Sequence, residues 1–186
     1  MNLGSEREAA VRLGMPPDAW LLVVHVENQE LIAGVPGSGP LRYPVSTSRL
    51  GLGERKDSWR TPRGYHEIVE RLGDGLPVGA VLVSRTFTGE VLPSSVWRDE
   101  HDGDKILSRI LRLAGREPGR NAGGEVDSYD RLIYLHGTNH EQWVGVAPSS
   151  HGCIRMKNND IIDLFDRLRG RAAWVLVCDD APPPSL

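Results

Sequence analysis

Apolar positions along this chain fall into short runs, cut by glycine, proline and charged residues. "WLLVVHV" and "ELIAGV" are rich in Val, Leu and Ile. Glu27-Asn28-Gln29 separates them, so the pair predicts a hairpin. "LRYPVST" predicts a third strand, and "YHEIVERL" and "AVLVSRTF" predict two more. In "RLIYLHG" the alternation puts Leu132, Tyr134 and His136 on one face of a strand. "AAWVLVC" predicts a last, buried strand. The stretches "RLGLGERKDSWRTPRG" (49–64) and "EPGRNAGGEVDS" (117–128) are polar and glycine-punctuated, which predicts loops.

Three segments have helical spacing instead. Ser5 with Glu8 forms a capping box for a helix ending near Gly14, before the Pro16-Pro17 breaker. "DGDKILSRILRLAG" places Ile106, Ile110 and Leu113 at helix-like intervals, so a helix is predicted there. "NNDIIDLFDRLRG" is the strongest helix. Asn158 or Asn159 can cap it, Ile161, Leu164, Phe165 and Leu168 form one stripe, and Gly170 sits at C′. With no internal repeat or linker, the pattern gives one mainly β domain with a few short helices. Its expected limits are a helical extension over 1–19, a domain over 20–178 and a proline-containing tail over 179–186.

A length of 186 residues suits one domain with a sizeable core. Gly and Pro together number 34, which favours turns and short strands over long helices. A net charge of −3 gives no electrostatic footprint for nucleic acid. No run of 18 apolar residues exists, so no membrane span is expected. The first residues, "MNLGSEREAAVRLG", hold no apolar stretch of the secretory kind, and two cysteines make no disulfide framework. The expectation is a cytoplasmic protein with reduced thiols.

The chemistry concentrates in "YLHGTNHEQWVGVAPSSHGCIRM", from Tyr134 to Met156, which holds three of the six histidines and one of the two cysteines. A lone cysteine is most often a small buried hydrophobe. Cys178 fits that description. Cys153 differs: Gly152 permits a tight turn at the thiol, and His151 and Arg155 add positive charge that favours a thiolate. His136 ends a predicted strand seventeen residues earlier and can serve as general base. No acidic residue stands out as a third member. A backbone carbonyl near Gly137 can orient the imidazole instead. His151 can be a second base or a donor to substrate, Arg155 a carboxylate clamp or a surface ion pair. Ser149 and Ser150 read as turn formers, and Trp143 as packing. A zinc site built from His136, His140, His151 and Cys153 is disfavoured, because no HExxH or paired CxxC motif is present.

"HGT" followed by "SHGCIRM" resembles the signature of the L,D-transpeptidase (YkuD-like) family, in its compact bacterial form without a signal segment. "YPVST" and "TPRG" resemble the family's upstream strand and turn. Ser48 and His66 depart from it, standing where a glycine and an aromatic are common. The resemblance implies a β-sandwich-like L,D-transpeptidase catalytic-domain fold with the cysteine at the rim of a groove. It implies Cys153 as nucleophile, His136 as base and Gly137 as the residue whose carbonyl orients it. Tyr134, Ser150, His151, Gly152 and Arg155 complete the pocket, with the N–H groups of Gly152 and Cys153 as oxyanion donors. The substrates implied are peptidoglycan stem peptides or muropeptides, cut at the bond between a diamino acid's L-centre and D-alanine through a thioester. Carbapenem-type β-lactams are implied as acylating inhibitors, and no cofactor or metal is implied. Hydrolysis to tripeptide in muropeptide recycling, an L,D-carboxypeptidase action, is the expected outcome. Formation of 3-3 cross-links or D-amino-acid exchange is the alternative. A sensor or binding module for peptidoglycan fragments is the alternative from another class.

Overall fold

The computed structural model describes residues 3–98 and 103–179; of the expected tail, only Asp179 lies among them. Ten strands form one sheet: β1 (Trp20–His25), β2 (Glu30–Gly34), β3 (Leu41–Pro44), β4 (Gly64–Leu72), β5 (Ala80–Val83), β6 (Thr86–Val91), β7 (Ile106–Gly115), β8 (Tyr134–Thr138), β9 (Ile154–Met156) and β10 (Ala173–Cys178). Among the described residues two α-helices accompany them, α1 (Leu3–Arg12) and α2 (Asn158–Arg167). The hydrogen-bonded order is β3-β2-β1-β10-β4-β7-β5-β6, with β8 pairing β7 and β9 pairing β8. The domain is therefore mainly β, as the pattern predicts. Rather than two separate sheets, it is one curled sheet.

β1 and β2 pair antiparallel, Leu21 against Gly34 through His25 against Glu30, which is the predicted hairpin. β1 also pairs parallel with β10. Both strands are covered on both faces, which is why they read as unbroken apolar runs. Leu22 and Val24 point into the main core with Ile161, Leu164 and Phe165 of α2 and with Leu168 at its C-terminal cap. Leu21, Val23, Trp174 and Leu176 point the other way, to Ala10, Met15 and Ala19. Helix α1 thus closes the outer face. It begins at Leu3, so Ser5 lies inside its first turn rather than at its cap.

Three sequence expectations are corrected. "DGDKILSRILRLAG" is no helix: Ile106–Gly115 is the longest strand, β7, paired with β4, β5 and β8. A register shift between Leu107 and Ile110, with Ser108 left-handed at φ 65°, breaks its two-residue alternation. Leu107, Ile110 and Leu113 then enter three different clusters, and the resulting spacing imitates a helix. "AVLVSRTF" is not one strand. Ser84 and Arg85 both take positive φ (47° and 69°), so it turns tightly between β5 and β6. Helix α2 has the expected stripe and Gly170 at φ 72°, but neither Asn158 nor Asn159 is its cap. Lys157 occupies that position without a side-chain bond, and the Glu141 carboxylate accepts the Asn158 N–H at 2.7 Å.

Asn158 instead ties α2 to the strands beneath. Its Nδ2 donates to Thr138 O at 2.8 Å, and its Oδ1 accepts the Ser108 hydroxyl at 2.7 Å. This knot sits at the C-terminal end of β8, where the reactive residues lie.

Candidate active site

β8 and β9 run parallel, with Leu135 opposite Ile154 and His136 opposite Arg155. Cys153 immediately precedes β9 and so comes beside Tyr134, with which it packs alongside Leu82 and Ile110. The turn leading to Cys153 is built by hydroxyls. Ser150 Oγ donates to Cys153 O at 2.5 Å and accepts Gly152 N–H at 3.2 Å, while Thr61 Oγ1 donates to Gly152 O at 2.9 Å. Thr61, from the "TPRG" segment, thus fastens the 49–64 loop to the cysteine turn. Gly152 has φ 125°, a conformation few other residues tolerate.

The His136 ring is buried, and its Nδ1 lies 2.8 Å from Gly137 O. A carbonyl only accepts, so Nδ1 carries the proton and Nε2 keeps its lone pair. Gly137 serves by close approach, not by a turn. A Cβ there would stand 2.6 Å from Leu107 O and 2.4 Å from Asn158 Oδ1. The Cys153 thiol donates to Leu132 O at 3.4 Å. Leu132 holds φ 57°, an unusual conformation for leucine, and its carbonyl is what that backbone aims at the sulfur.

Arg155 is 1% exposed. Its guanidinium donates to Ser149 Oγ at 2.8 Å and pairs with Asp104 Oδ2. The predicted clamp is therefore already engaged by one of the protein's own carboxylates. His151 is exposed, with Nδ1 3.6 Å from the same Asp104 oxygen. Trp59 meets its ring edge-on, centroids 5.9 Å apart. Tyr134 is buried, and its hydroxyl accepts from Arg85 at 3.4 Å. Trp143 lies in the 3-10 turn Glu141–Trp143, exposed by 38%. Cys178 lies across the sheet, 3.7 Å from His25 Nδ1.

Burial pushes the Cys153 thiol up to about 11; a hydrogen bond from the Tyr134 backbone, Arg155 and Arg131 pull it down, and Asp104 pushes it up. Counting the nearby cations in the sequence suggests the reverse. Burial also lowers His136 below its ordinary value, opposed by Asp104 and the Gly137 bond. Burial would raise the Asp104 carboxyl, but Arg155 and His136 hold it below the usual range. At neutral pH the resting couple is thus a thiol and a neutral imidazole. Two cavities open beside the cysteine turn, at His151, and neither is lined by Cys153 or His136 themselves. One, of about 250 Å3, is lined by Lys56, Trp59, Arg131, Leu132, Ile133 and His151 among others. The other, of about 360 Å3, is lined by Arg49, Leu50, Trp59 and His151. The Trp59–His151 pair is the wall they share.

Residues 19–177 match the family model of the L,D-transpeptidase catalytic domain, YkuD. The chain belongs to this family. A curated relative, "Probable L,D-transpeptidase ErfK/SrfK" of Salmonella typhimurium, is 31% identical over 129 residues, which are 68% of this chain and 37% of that protein. An L,D-transpeptidase structure from Mycobacterium smegmatis superposes with a TM-score of 0.52 at 19% identity, covering 86% of this chain and 58% of the other. The structure of LD transpeptidase LdtMt1 in complex with imipenem superposes with a TM-score of 0.50 at 18% identity, covering 87% and 59%. The chain thus spans well under two thirds of each of these proteins, and the structural likenesses establish the L,D-transpeptidase fold.

Sequence reasoning missed Asp104, Trp59, Thr61 and the Leu132 carbonyl. Only Thr61 carried a signal, through "TPRG". Among the described residues, no group of three or more His, Cys, Asp or Glu side chains is arranged to hold a metal ion. No helix among them is long and apolar enough to cross a membrane.

Proposed function

We propose that this L,D-transpeptidase-family domain is a cysteine acyltransferase acting on peptidoglycan stem peptides, with Cys153 as nucleophile and His136 as base. The observation that carries this is the His136 Nδ1 bond to Gly137 O, 2.8 Å long, which leaves Nε2 as a lone-pair base on the strand beside Cys153. Substrate docking brings a carbonyl to the sulfur. The thiol proton passes to His136 Nε2 as the S–C bond forms and the carbonyl oxygen becomes an oxyanion. The Gly152 N–H already serves Ser150 Oγ. The Cys153 N–H is therefore the stronger oxyanion donor of that pair. Collapse breaks the C–N bond, and the D-alanine nitrogen leaves with the proton from His136. Water or an amine then attacks the thioester, His136 takes the incoming proton, and the S–C bond breaks as that proton passes to sulfur, restoring the thiol and the neutral imidazole. Arg155, His151, Ser150 and Tyr134 shape this site; Arg155 does so through Asp104 and Ser149 rather than by holding substrate.

Hydrolysis, an L,D-carboxypeptidase action, is the favoured outcome. Cys153 is half-buried rather than sealed off, and His151 near it on the turn, with Trp59 against His151, faces solvent. A thioester there meets water unless an acceptor fills the groove. Transfer to an amine is the second reading, favoured by the cavity at Arg49 and Leu50, which offers acceptor space beyond the Trp59–His151 wall. Mass spectrometry of products from a tetrapeptide muropeptide, with and without D-methionine, tests both. Tripeptide plus D-alanine is expected in each case. Predominant exchanged tetrapeptide or dimer would replace hydrolysis by transfer, and an unchanged substrate would remove the acyltransferase reading itself.

A further inference from the structure

We propose that Asp104 is a positioning residue of this site, whose carboxylate gathers Arg155 and His151 at one oxygen and so fixes the charge around the Cys153–His136 couple. The proposal rests on the acyltransferase reading above. Asp104 Oδ2 pairs with the buried Arg155 guanidinium and lies 3.6 Å from His151 Nδ1. Arg155 sits opposite His136 in the β8–β9 register, two residues after Cys153. A buried guanidinium in that place would otherwise repel an imidazolium and favour a thiolate.

The chain is built to hold Asp104 there. Asn139, wholly buried just past β8, accepts the Lys105 N–H at 2.8 Å and donates to Gly103 O at 2.7 Å. Its side chain brackets Asp104 from both sides in sequence. Among the described residues, the charged and titratable groups facing the carboxylate are Arg155 on β9, His151 on the cysteine turn, and His136 and His140 from β8 and its exit. Arg131 acts on the thiol from the segment ahead of β8.

The consequence is a division of labour. Burial acts most strongly on both groups; Asp104 opposes Arg155 at each, adding to the upward push on the thiol and supporting the basicity of the imidazole. The thiol then loses its proton only to His136, when a carbonyl is in place. Removing the carboxylate frees Arg155 to act on both. The thiolate becomes more accessible while His136 becomes a weaker base. Two reactions of Cys153 should therefore change in opposite directions, which loss of structure alone would not produce.

The test compares wild type, Asp104→Asn, Asp104→Glu and Asn139→Ser. It measures iodoacetamide alkylation at pH 8, which needs only thiolate, and acylation by imipenem at pH 7. Imipenem acylation forms the S–C bond, opens the lactam C–N bond and moves the thiol proton through His136 to nitrogen. Asp104→Asn should alkylate several-fold to about tenfold faster and acylate about tenfold slower, with its acid limb at lower pH. Asp104→Glu should restore both rates towards wild type. Asn139→Ser, which loosens the clamp but keeps the carboxylate, should show the same opposed pair in smaller size, and it carries the test if Asp104→Asn does not fold. Rates that are unchanged, or that move in the same direction, overturn the role of Asp104. Wild type that never forms the imipenem adduct on Cys153 overturns the acyltransferase reading, and this proposal with it.

Discussion

Burial pushes the Cys153 thiol up to about 11, which favours the protonated thiol over a standing thiolate at neutral pH. Its reactivity must depend on what His136 does at the moment of attack. Simple alkylation of Cys153 should therefore climb with pH and level off only near 11. A plateau near the ordinary thiol value would show that burial does not penalise the thiolate. Acylation by imipenem should behave differently. Its acid limb follows His136, which burial holds below 6.5, so the rate should persist through pH 6.5 and fall only at lower pH. His136→Gln should slow it by at least about 10²-fold. Cys153→Ala should take up no imipenem mass, and Cys178→Ala should take it up like wild type; an adduct in Cys153→Ala moves the nucleophile elsewhere. At this scale the sequence was informative for groups that act through their own chemistry. Cys153, His136 and Gly137 stand in a short motif of unusual composition. Asp104 and the Leu132 carbonyl did not stand out, because a loop aspartate and a backbone oxygen look ordinary until the chain brings them beside Arg155 and Cys153.

At the scale of elements, the site is held by the junction of β7, β8 and α2. Asn158 links all three through Ser108 Oγ and Thr138 O, and its Nδ2 also donates to Glu141 at 2.8 Å. Asn158→Ala leaves several buried groups short of partners and should destabilise the fold by about 2–3 kcal/mol. Urea unfolding measures this, and a loss below about 0.5 kcal/mol would show that the knot is dispensable. Gly137→Ala should cost about 1–3 kcal/mol by overpacking against Leu107 O and Asn158. Its His136-dependent acylation should fall as well, since β8 must shift. The same junction explains why the β7 segment has helix-like spacing in the sequence. Periodicity reports how a segment buries its residues, and a bulged strand covered on both faces buries them without a two-residue beat. β1, β2 and α2 were legible because each has one plain covering rule: runs buried on both faces in the strands, one stripe in the helix.

At the scale of the whole molecule, the curled sheet encloses groups that must stay uncharged, and His66 is the clearest. It is wholly buried on β4, with Nδ1 3.0 Å from Gly64 O and Nε2 3.0 Å from Ser128 Oγ. In the sequence it appears only as a departure from the family pattern; in the fold it joins β4 to the 117–128 loop. Burial lowers its pKa from 6.5 to about 4, helped slightly by Arg131 and Arg120, while the Gly64 and Val175 backbone bonds oppose the shift. The unfolded chain therefore binds a proton near pH 6.5 that the folded chain refuses until about 4. The stability tied to His66 is fully present above 6.5 and is lost as pH falls towards 4, on the order of 3 kcal/mol in all. His136, also lowered by burial, adds to the loss in the same direction. Urea midpoints measured from pH 7.5 to 4 should fall through this window. His66→Gln keeps hydrogen-bonding capacity but cannot take the proton, so it should flatten most of the slope while lowering stability at pH 7.5. The slope remaining in His66→Gln should shrink further in His66→Gln/His136→Gln. A wild-type midpoint that stays level from 6.5 to 4 would mean that His66 opens to solvent as readily in the folded chain as in the unfolded one.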